Sequence, residues 1–230
     1  MLQRSVVVVG ALAFNVATGA LAQVSGSVSL LSDYRFRGVS LSSERPAAQV
    51  DINYDATSGW YVGAFISSVR FDSYPSLNRL LLTYAGYTRR IGPDLSVDTG
   101  LTYADLSSGG DFDYLEAHAG VTTRLINVQV AFSPRYFGQR RAGTYLELNS
   151  GTQLTEMLRL FGHAGVLYVR PEPYQSGAST QVDGRIGLRY ERESFSAQLS
   201  RVAATRISVI YPVESSQRRG AWVLQLARFF

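Results

Sequence analysis

Few residue types in this sequence could do chemistry. Its acid–base side chains are 18 carboxylates and two histidines, His118 and His163. Glu116 and His118 stand two residues apart, a spacing that on a β-strand puts both on one face and lets the carboxylate orient the imidazole. With His163 they are the best candidates for a hydrolytic centre. No serine-centred motif flanks either histidine, however, and a lone histidine on a polar wall is usually only part of that wall. The absence of cysteine removes disulfides, thiolate metal sites and cysteine nucleophiles together. Two histidines are too few for a histidine-rich metal cluster. No EF-hand spacing, Walker loop or dinucleotide fingerprint occurs, and Ser108-Gly109-Gly110-Asp111 has no strand-to-helix setting behind it. No metal or cofactor is expected. All 22 basic residues are arginine, and a net charge of +4 is too small and too scattered to indicate a nucleic-acid partner.

The elements that must position these residues are strands. From Val24 the even positions read Val24, Gly26, Val28, Leu30, Ser32, Tyr34 and Phe36, and the odd ones Ser25, Ser27, Ser29, Leu31, Asp33, Arg35 and Arg37. One face is apolar and the other charged, which is period two. The pattern returns in Ala48, Val50, Ile52 and Tyr54 against Gln49, Asp51 and Asn53, and in Leu95, Val97, Leu101 and Tyr103 against Ser96, Asp98 and Thr102. Later copies are Val128, Val130, Phe132 and Tyr136 against Gln129, Ser133 and Arg135, and Val182, Ile186, Leu188 and Tyr190 against Asp183, Arg185 and Arg189. Less regular candidates cover 60–69, 79–89, 114–123, 144–153, 158–169, 195–203 and 221–230. The total is about 12 strands of roughly 9–12 residues, the length of a tilted transmembrane strand. Residues 207–213 either prolong the eleventh strand or belong to its loop.

Links at 56–59, 91–94, 124–127, 154–157 and 191–194 are short, whereas those at 38–45, 71–78, 107–111, 138–143, 171–180 and before Gly220 are longer. Short turns on one side and long loops on the other is the asymmetry of an outer-membrane barrel with both termini in the periplasm. No linker divides the chain, so 23–230 reads as one domain.

Residues 1–22 are expected to be removed. Arg4, the apolar run 6–14 and the small residues Ala20 and Ala22 form a secretory signal peptide, cleaved after Ala22. The run is too short for a spanning helix. The mature chain keeps 21 arginines against 18 acids, a charge of +3.

Alternation alone does not say which face points outward, and a soluble lipocalin-type barrel is the alternative. A ring this wide would leave an unfilled apolar lumen if soluble. Tyr54 and Trp60 flank one short turn and Tyr190 and Phe195 another, while Tyr34, Phe36, Tyr103, Tyr136 and Tyr168 lie toward the long loops, as interface girdles do. The C-terminal strand, with Trp222, Leu224 and Leu226 on one face, ends in Phe230 and resembles the signal by which the barrel assembly machinery recognises outer-membrane proteins. Arg228 departs from that pattern, and its head group could snorkel to water. A lipid-facing surface also accounts for a chain 46% hydrophobic and only 17% charged. Arg140-Arg141 and Arg218-Arg219 lie in long loops, either simply solvated or touching lipopolysaccharide phosphates.

Ser32-Asp33-Tyr34-Arg35-Phe36-Arg37-Gly38-Val39-Ser40, close behind the signal segment, resembles the motif that opens the TorF-family porins of proteobacteria. Ser58-Gly59-Trp60-Tyr61-Val62-Gly63-Ala64, Tyr84-Ala85-Gly86-Tyr87 and Tyr114-Leu115-Glu116-Ala117-His118-Ala119-Gly120 support the likeness, which is sharp in the first third of the mature chain. It implies a small outer-membrane barrel of porin type and no particular solute.

On this reading the pore would be lined by Asp33, Arg35, Arg37, Asp51, Asp98, Glu116, His118, Arg135, Glu147, Arg159, Asp183, Arg185 and Arg189. Opposed acidic and basic walls would create a transverse field that orients polar solutes. Alternatively, the same groups pair across a narrow barrel and close it. Arg35 and Arg37 either draw anions into the external mouth or pair with Asp33, Asp51 or loop carboxylates. The expectation is therefore an all-β, transmembrane antiparallel up-and-down barrel of about 12 strands, with outer-membrane lipid and lipopolysaccharide around it. It would act as a porin-like channel for small hydrophilic solutes. A closed structural barrel is the alternative, and a barrel hydrolase the weaker one.

Overall fold

Period-two alternation gives each strand two unlike faces, and closing the sheet on itself separates them completely. The computed structural model describes residues 22–107, 110–171, 180–205, 211 and 217–230. The expected signal segment, apart from Ala22, and the 207–213 stretch, apart from Tyr211, lie outside the described residues. The strands in chain order are β1 (Gln23–Leu31), β2 (Arg35–Phe36), β3 (Val39–Ser40), β4 (Ala47–Asp55), β5 (Trp60–Ser68), β6 (Arg79–Gly92), β7 (Leu95–Asp105), β8 (Tyr114–Thr122), β9 (Ile126–Ser133), β10 (Gly143–Gln153), β11 (Leu158–Val169), β12 (Thr180–Arg192), β13 (Phe195–Ala204) and β14 (Gly220–Phe229). All except β2 and β3 form one closed antiparallel barrel of twelve strands, each paired with its chain neighbour. The ring closes where β1 meets β14, from Ser27 opposite Phe229 to Leu31 opposite Gln225. Gly26 and Phe230 extend that seam by exchanging both backbone hydrogen bonds at 3.1 Å. Closure leaves none of the twelve barrel strands with an open edge to pair with another chain.

Leu30, Ile52 and Ile186 point outward at 60%, 51% and 59% exposure, while Ser27, Gln49, Asn53, Gln129, Gln198 and Gln225 point inward and are buried. The polarity is inverted relative to a soluble barrel: apolar outside, polar inside. Tyr54, Trp60, Tyr190 and Phe195 are exposed at the short-turn end and Tyr103 and Tyr168 toward the long-loop end. Arg228 also faces outward.

The first strand differs from expectation. It stops at Leu31, and residues 32–46 turn into the barrel, where β2 and β3 make a separate two-stranded sheet. The two residues between them, Arg37 and Gly38, have φ of 48° and 79°. Positive φ at both central positions is what a two-residue hairpin loop needs to match the twist of its strands. Glycine suits the second position further because a Cβ on Gly38 would lie 2.7 Å from the Cβ of Ala204. Tyr34 therefore does not face lipid; like Val39 and Leu41 it is fully buried, and Phe36 packs beside them. Tyr136 is likewise inside rather than on the outer girdle, in a 3-10 turn over Tyr136–Gly138. These residues join Phe65, Phe71, Leu106, Phe137 and Tyr211 in an apolar core that fills the long-loop end of the lumen. Burial of Tyr34, Val39 and Leu41 stabilises the inserted state by about 1.5–3 kcal/mol each.

Candidate functional site

The inserted hairpin is fixed by its charges as well as by apolar packing. Asp33 accepts from Arg35 Nε at 2.6 Å and from the Ser40 hydroxyl at 2.6 Å. Arg35 also donates to the Gly38 and Arg218 carbonyls at 3.1 and 3.0 Å and lies 3.5 Å from Glu44. Arg37, at the hairpin tip, reaches the barrel wall. One of its nitrogens donates to both carboxylate oxygens of Glu116 at 2.8 and 2.9 Å, and another to the Tyr136 hydroxyl at 2.8 Å. Its guanidinium sits 4.1 Å from the Tyr145 ring centre, and Gln181 holds its backbone carbonyl at 2.7 Å. Burial alone would lower the Arg37 pKa, but Glu116 and the hydroxyls of Tyr136, Tyr114 and Tyr211 outweigh it, so the net direction is upward. Burial also pushes the Tyr136 phenol up to about 12.

Below the hairpin lie two similar clusters. On one wall Asp98 Oδ1 is 2.9 Å from His118 Nε2, and the Tyr61 hydroxyl is 3.1 Å from the same nitrogen. On the other, Asp183 Oδ1 is 3.0 Å from His163 Nε2, and the Tyr145 hydroxyl touches both. Asn149 holds His163 Nδ1 at 2.8 Å. Gly165 makes room for Tyr145, since a Cβ there would lie 2.0 Å from the phenol oxygen. Glu116 and His118 share the inner face of β8 as expected but do not pair, because Arg37 takes the first and Asp98 the second. The hydroxyl bonded to each imidazole is a phenol, not a serine.

Toward the short-turn end the charges separate by wall. Asp51 and Asp98 face inward from β4 and β7, both buried. Across the ring, Arg159 on β11 stands directly opposite Arg189 on β12, and Arg185 lies one inward position beyond the intervening Gly187. Arg185 donates to the Ser200 hydroxyl at 3.3 Å, and Arg189 donates to Gln198 Oε1 at 2.9 and 2.8 Å. Phe161 lies between, its ring centre 5.5 Å from each of the Arg185 and Arg189 guanidiniums. A cavity of about 140 Å³ under the hairpin is bounded by Arg37, Glu116, His118, Glu147, His163, Asp183 and Arg185.

The structure thus gathers Asp33, Arg35, Arg37, Glu116, Glu147, Asp183 and both histidines around the hairpin, and Asp51, Asp98, Arg159, Arg185 and Arg189 on the walls below. Arg135 is the exception. β9 ends at Ser133, so Arg135 sits exposed in the following turn and does not line the lumen. Sequence reasoning missed Tyr61, Tyr145 and Phe161. Each lies on the inward-facing parity of a less regular strand, where an aromatic side chain does not by itself mark the polar face.

A family model described as a bacterial protein of unknown function, Gcw_chp, matches residues 16–218. A search of curated proteins finds no match to the chain. Among solved structures, the KdgM porin is similar with a TM-score of 0.57 at 9% identity, covering 90% of this chain and 98% of that one. The same porin in complex with disordered oligogalacturonate gives 0.56 at 11% identity, with coverage of 90% and 98%. The NanC porin gives 0.57 at 8% identity, covering 89% of this chain and 98% of that one. At such identities the likeness concerns the fold, which is that of porin barrels.

Proposed function

From the premise that the chain belongs to the Gcw_chp family of bacterial proteins of unknown function, we propose that it is an outer-membrane, porin-like channel for passive diffusion of small hydrophilic solutes. The observation that carries this reading is the closed ring of twelve strands with an apolar outside and a charged, divided inside. Carboxylates on one wall and an excess of guanidiniums on the other set up a transverse field, which is of no use to a structural plug and in a pore orients polar solutes. The likeness to TorF-family porins at residues 32–40 points the same way. Export would use the signal segment 1–22, assembly the terminal Phe230, and the arginine-bearing long loops would meet lipopolysaccharide.

The buried hairpin favours a second reading, a barrel closed at the long-loop end. Planar-bilayer recording of the refolded mature chain separates the two. Discrete ohmic currents from the intact protein support the channel. Silence from both the intact chain and one whose residues 33–45 are replaced by a short Gly/Ser link leaves a structural barrel.

A further inference from the structure

The arginines of the recognised motif carry no free charge for a solute, since Arg35 and Arg37 are both paired with carboxylates. The free positive charge lies elsewhere. Arg159 and Arg189 face each other in register on one lumen wall, and like charges directly opposite on a sheet repel. The nearest acid is Glu191, 3.5 Å from Arg189 at the half-open rim. Arg159 and Arg185 have no carboxylate within ion-pair distance among the described residues, and Ser200 gives Arg185 only a neutral acceptor. Arg185 and Arg189 are half-buried and Arg159 is exposed to the lumen; with Glu191 the single carboxylate beside them among the described residues, the wall carries an excess of positive charge that an anion would relieve.

We propose that the β11–β12 wall is an oxyanion subsite, taking a carboxylate or phosphate carried by a small solute. A planar guanidinium presents paired N–H donors that match either group, and an Arg pair can clasp one oxyanion from two sides. Register sets the Arg159 and Arg189 Cβ atoms about 5 Å apart; the Arg159 side chain passes over Gly151 of β10, where a Cβ would lie 2.9 Å from its Nε, and a rotation toward Arg189 would let the pair share one anion. Phe161 offers an apolar surface beside them for the carbon skeleton of the solute. The carboxylates of the opposite wall, Asp51 and the His118-bonded Asp98, disfavour the same anion there, which makes the subsite directional. The subsite rests on the channel reading only for how solute arrives; binding itself needs no current.

The test measures binding and selectivity on one preparation of refolded mature chain. Calorimetric titration in detergent uses citrate and inorganic phosphate as probes, and bilayer reversal potentials are read in a KCl gradient. Replacing Arg159, Arg185 and Arg189 by glutamine should weaken binding of at least one probe by roughly tenfold to hundredfold. It should also move the reversal potential from anion toward cation preference. A control with Arg135→Gln alone removes an exposed turn charge and should leave both readings unchanged. A heat-dependent gel shift confirms that each variant is folded. No binding of either probe by the folded intact chain overturns the proposal, as does equal binding by the triple variant. A phosphate response without a citrate response, or the reverse, supports it and assigns the headgroup. Binding without any current upholds the subsite and overturns the channel instead.

Discussion

At the long-loop end Arg35 and Arg37 are each held by a carboxylate, Arg37 lies against the rings of Phe36, Tyr136 and Tyr145, and the hairpin that carries both is packed into an apolar core. Toward the short-turn end Arg159, Arg185 and Arg189 share one wall, where Arg185 and Arg189 donate to neutral side chains and Glu191 is the single carboxylate beside them among the described residues, while Asp51 and Asp98 sit on strands of the opposite wall. The same side chain serves as structural glue in the first region and as an unspent charge in the second. The difference is made by neighbours, not by residue type: a guanidinium beside a buried carboxylate contributes rigidity, whereas one without a partner contributes field.

Removing the plug should affect this contrast most. Replacing residues 33–45 by a short Gly/Ser link is expected to raise single-channel conductance several-fold in planar bilayers while the short-turn end keeps its ion preference. Equal conductance with and without the hairpin would mean the long-loop end is not the narrow point.

Arg37→Ala comes next. It strands Glu116 in a nearly buried setting, its side chain 14% exposed, and loss of one partner of a buried pair costs about 3–5 kcal/mol. Urea titrations followed by the folded-to-unfolded gel shift should show this, and Arg37→Ala with Glu116→Ala should recover part of it. A double variant worse than the single would break the idea that the pair is a latch.

Alkali should loosen the same end. The Tyr136 phenol stays neutral in the fold up to about 12, against an ordinary value of 10.0. Below pH 10 both states hold the proton and stability is whole. Between the two values the unfolded chain loses it and the fold does not, so stability should fall by about 1.4 kcal/mol per pH unit. Tyr136→Phe should flatten that decline, and an unaltered slope would remove Tyr136 as its source.

Tyr145→Phe deletes hydrogen bonds to His163 and Asp183 and is expected to cost about 1–3 kcal/mol, the penalty for leaving buried partners unsatisfied. Arg135→Gln, at an exposed turn, should stay within about 0.5 kcal/mol of the parent. A larger effect would show that this arginine has a role the barrel geometry does not give it.

Much of the barrel was legible before any coordinates. The turn at 154–157 separates β10 and β11 as expected, and the remaining short turns fall within about two residues of expectation. That success has a simple cause: alternation is local, and every barrel strand carries it. The failure at residues 32–40 has the same cause. Tyr34 and Phe36 alternate with Arg35 and Arg37 as if β1 continued, and period two does not distinguish lipid from an internal apolar core. Arg37-Gly38 was the available signal, a two-residue link capable of positive φ between two short extended pairs. The lumen list was less complete. Asp51, Asp98, Asp183 and the β11–β12 arginines follow from parity, whereas Tyr61, Tyr145 and Phe161 are aromatic residues used on a polar face.

The sequence by itself determined the strand count and, in the strands with regular alternation, which side chains share a face, because both depend on spacing along one segment; the inverted polarity was legible only with ring width and the aromatic girdles added. The sequence also contained every charge that the lumen uses. Only the tertiary structure decided which charges meet. Arg37 and Glu116 lie 79 residues apart in sequence and 2.8 Å apart in space, while Arg159 finds no acid at all among the described residues. Pairing across a closed ring depends on strand order, register and the path of one inserted loop, and none of these is encoded in the alternation of a single strand.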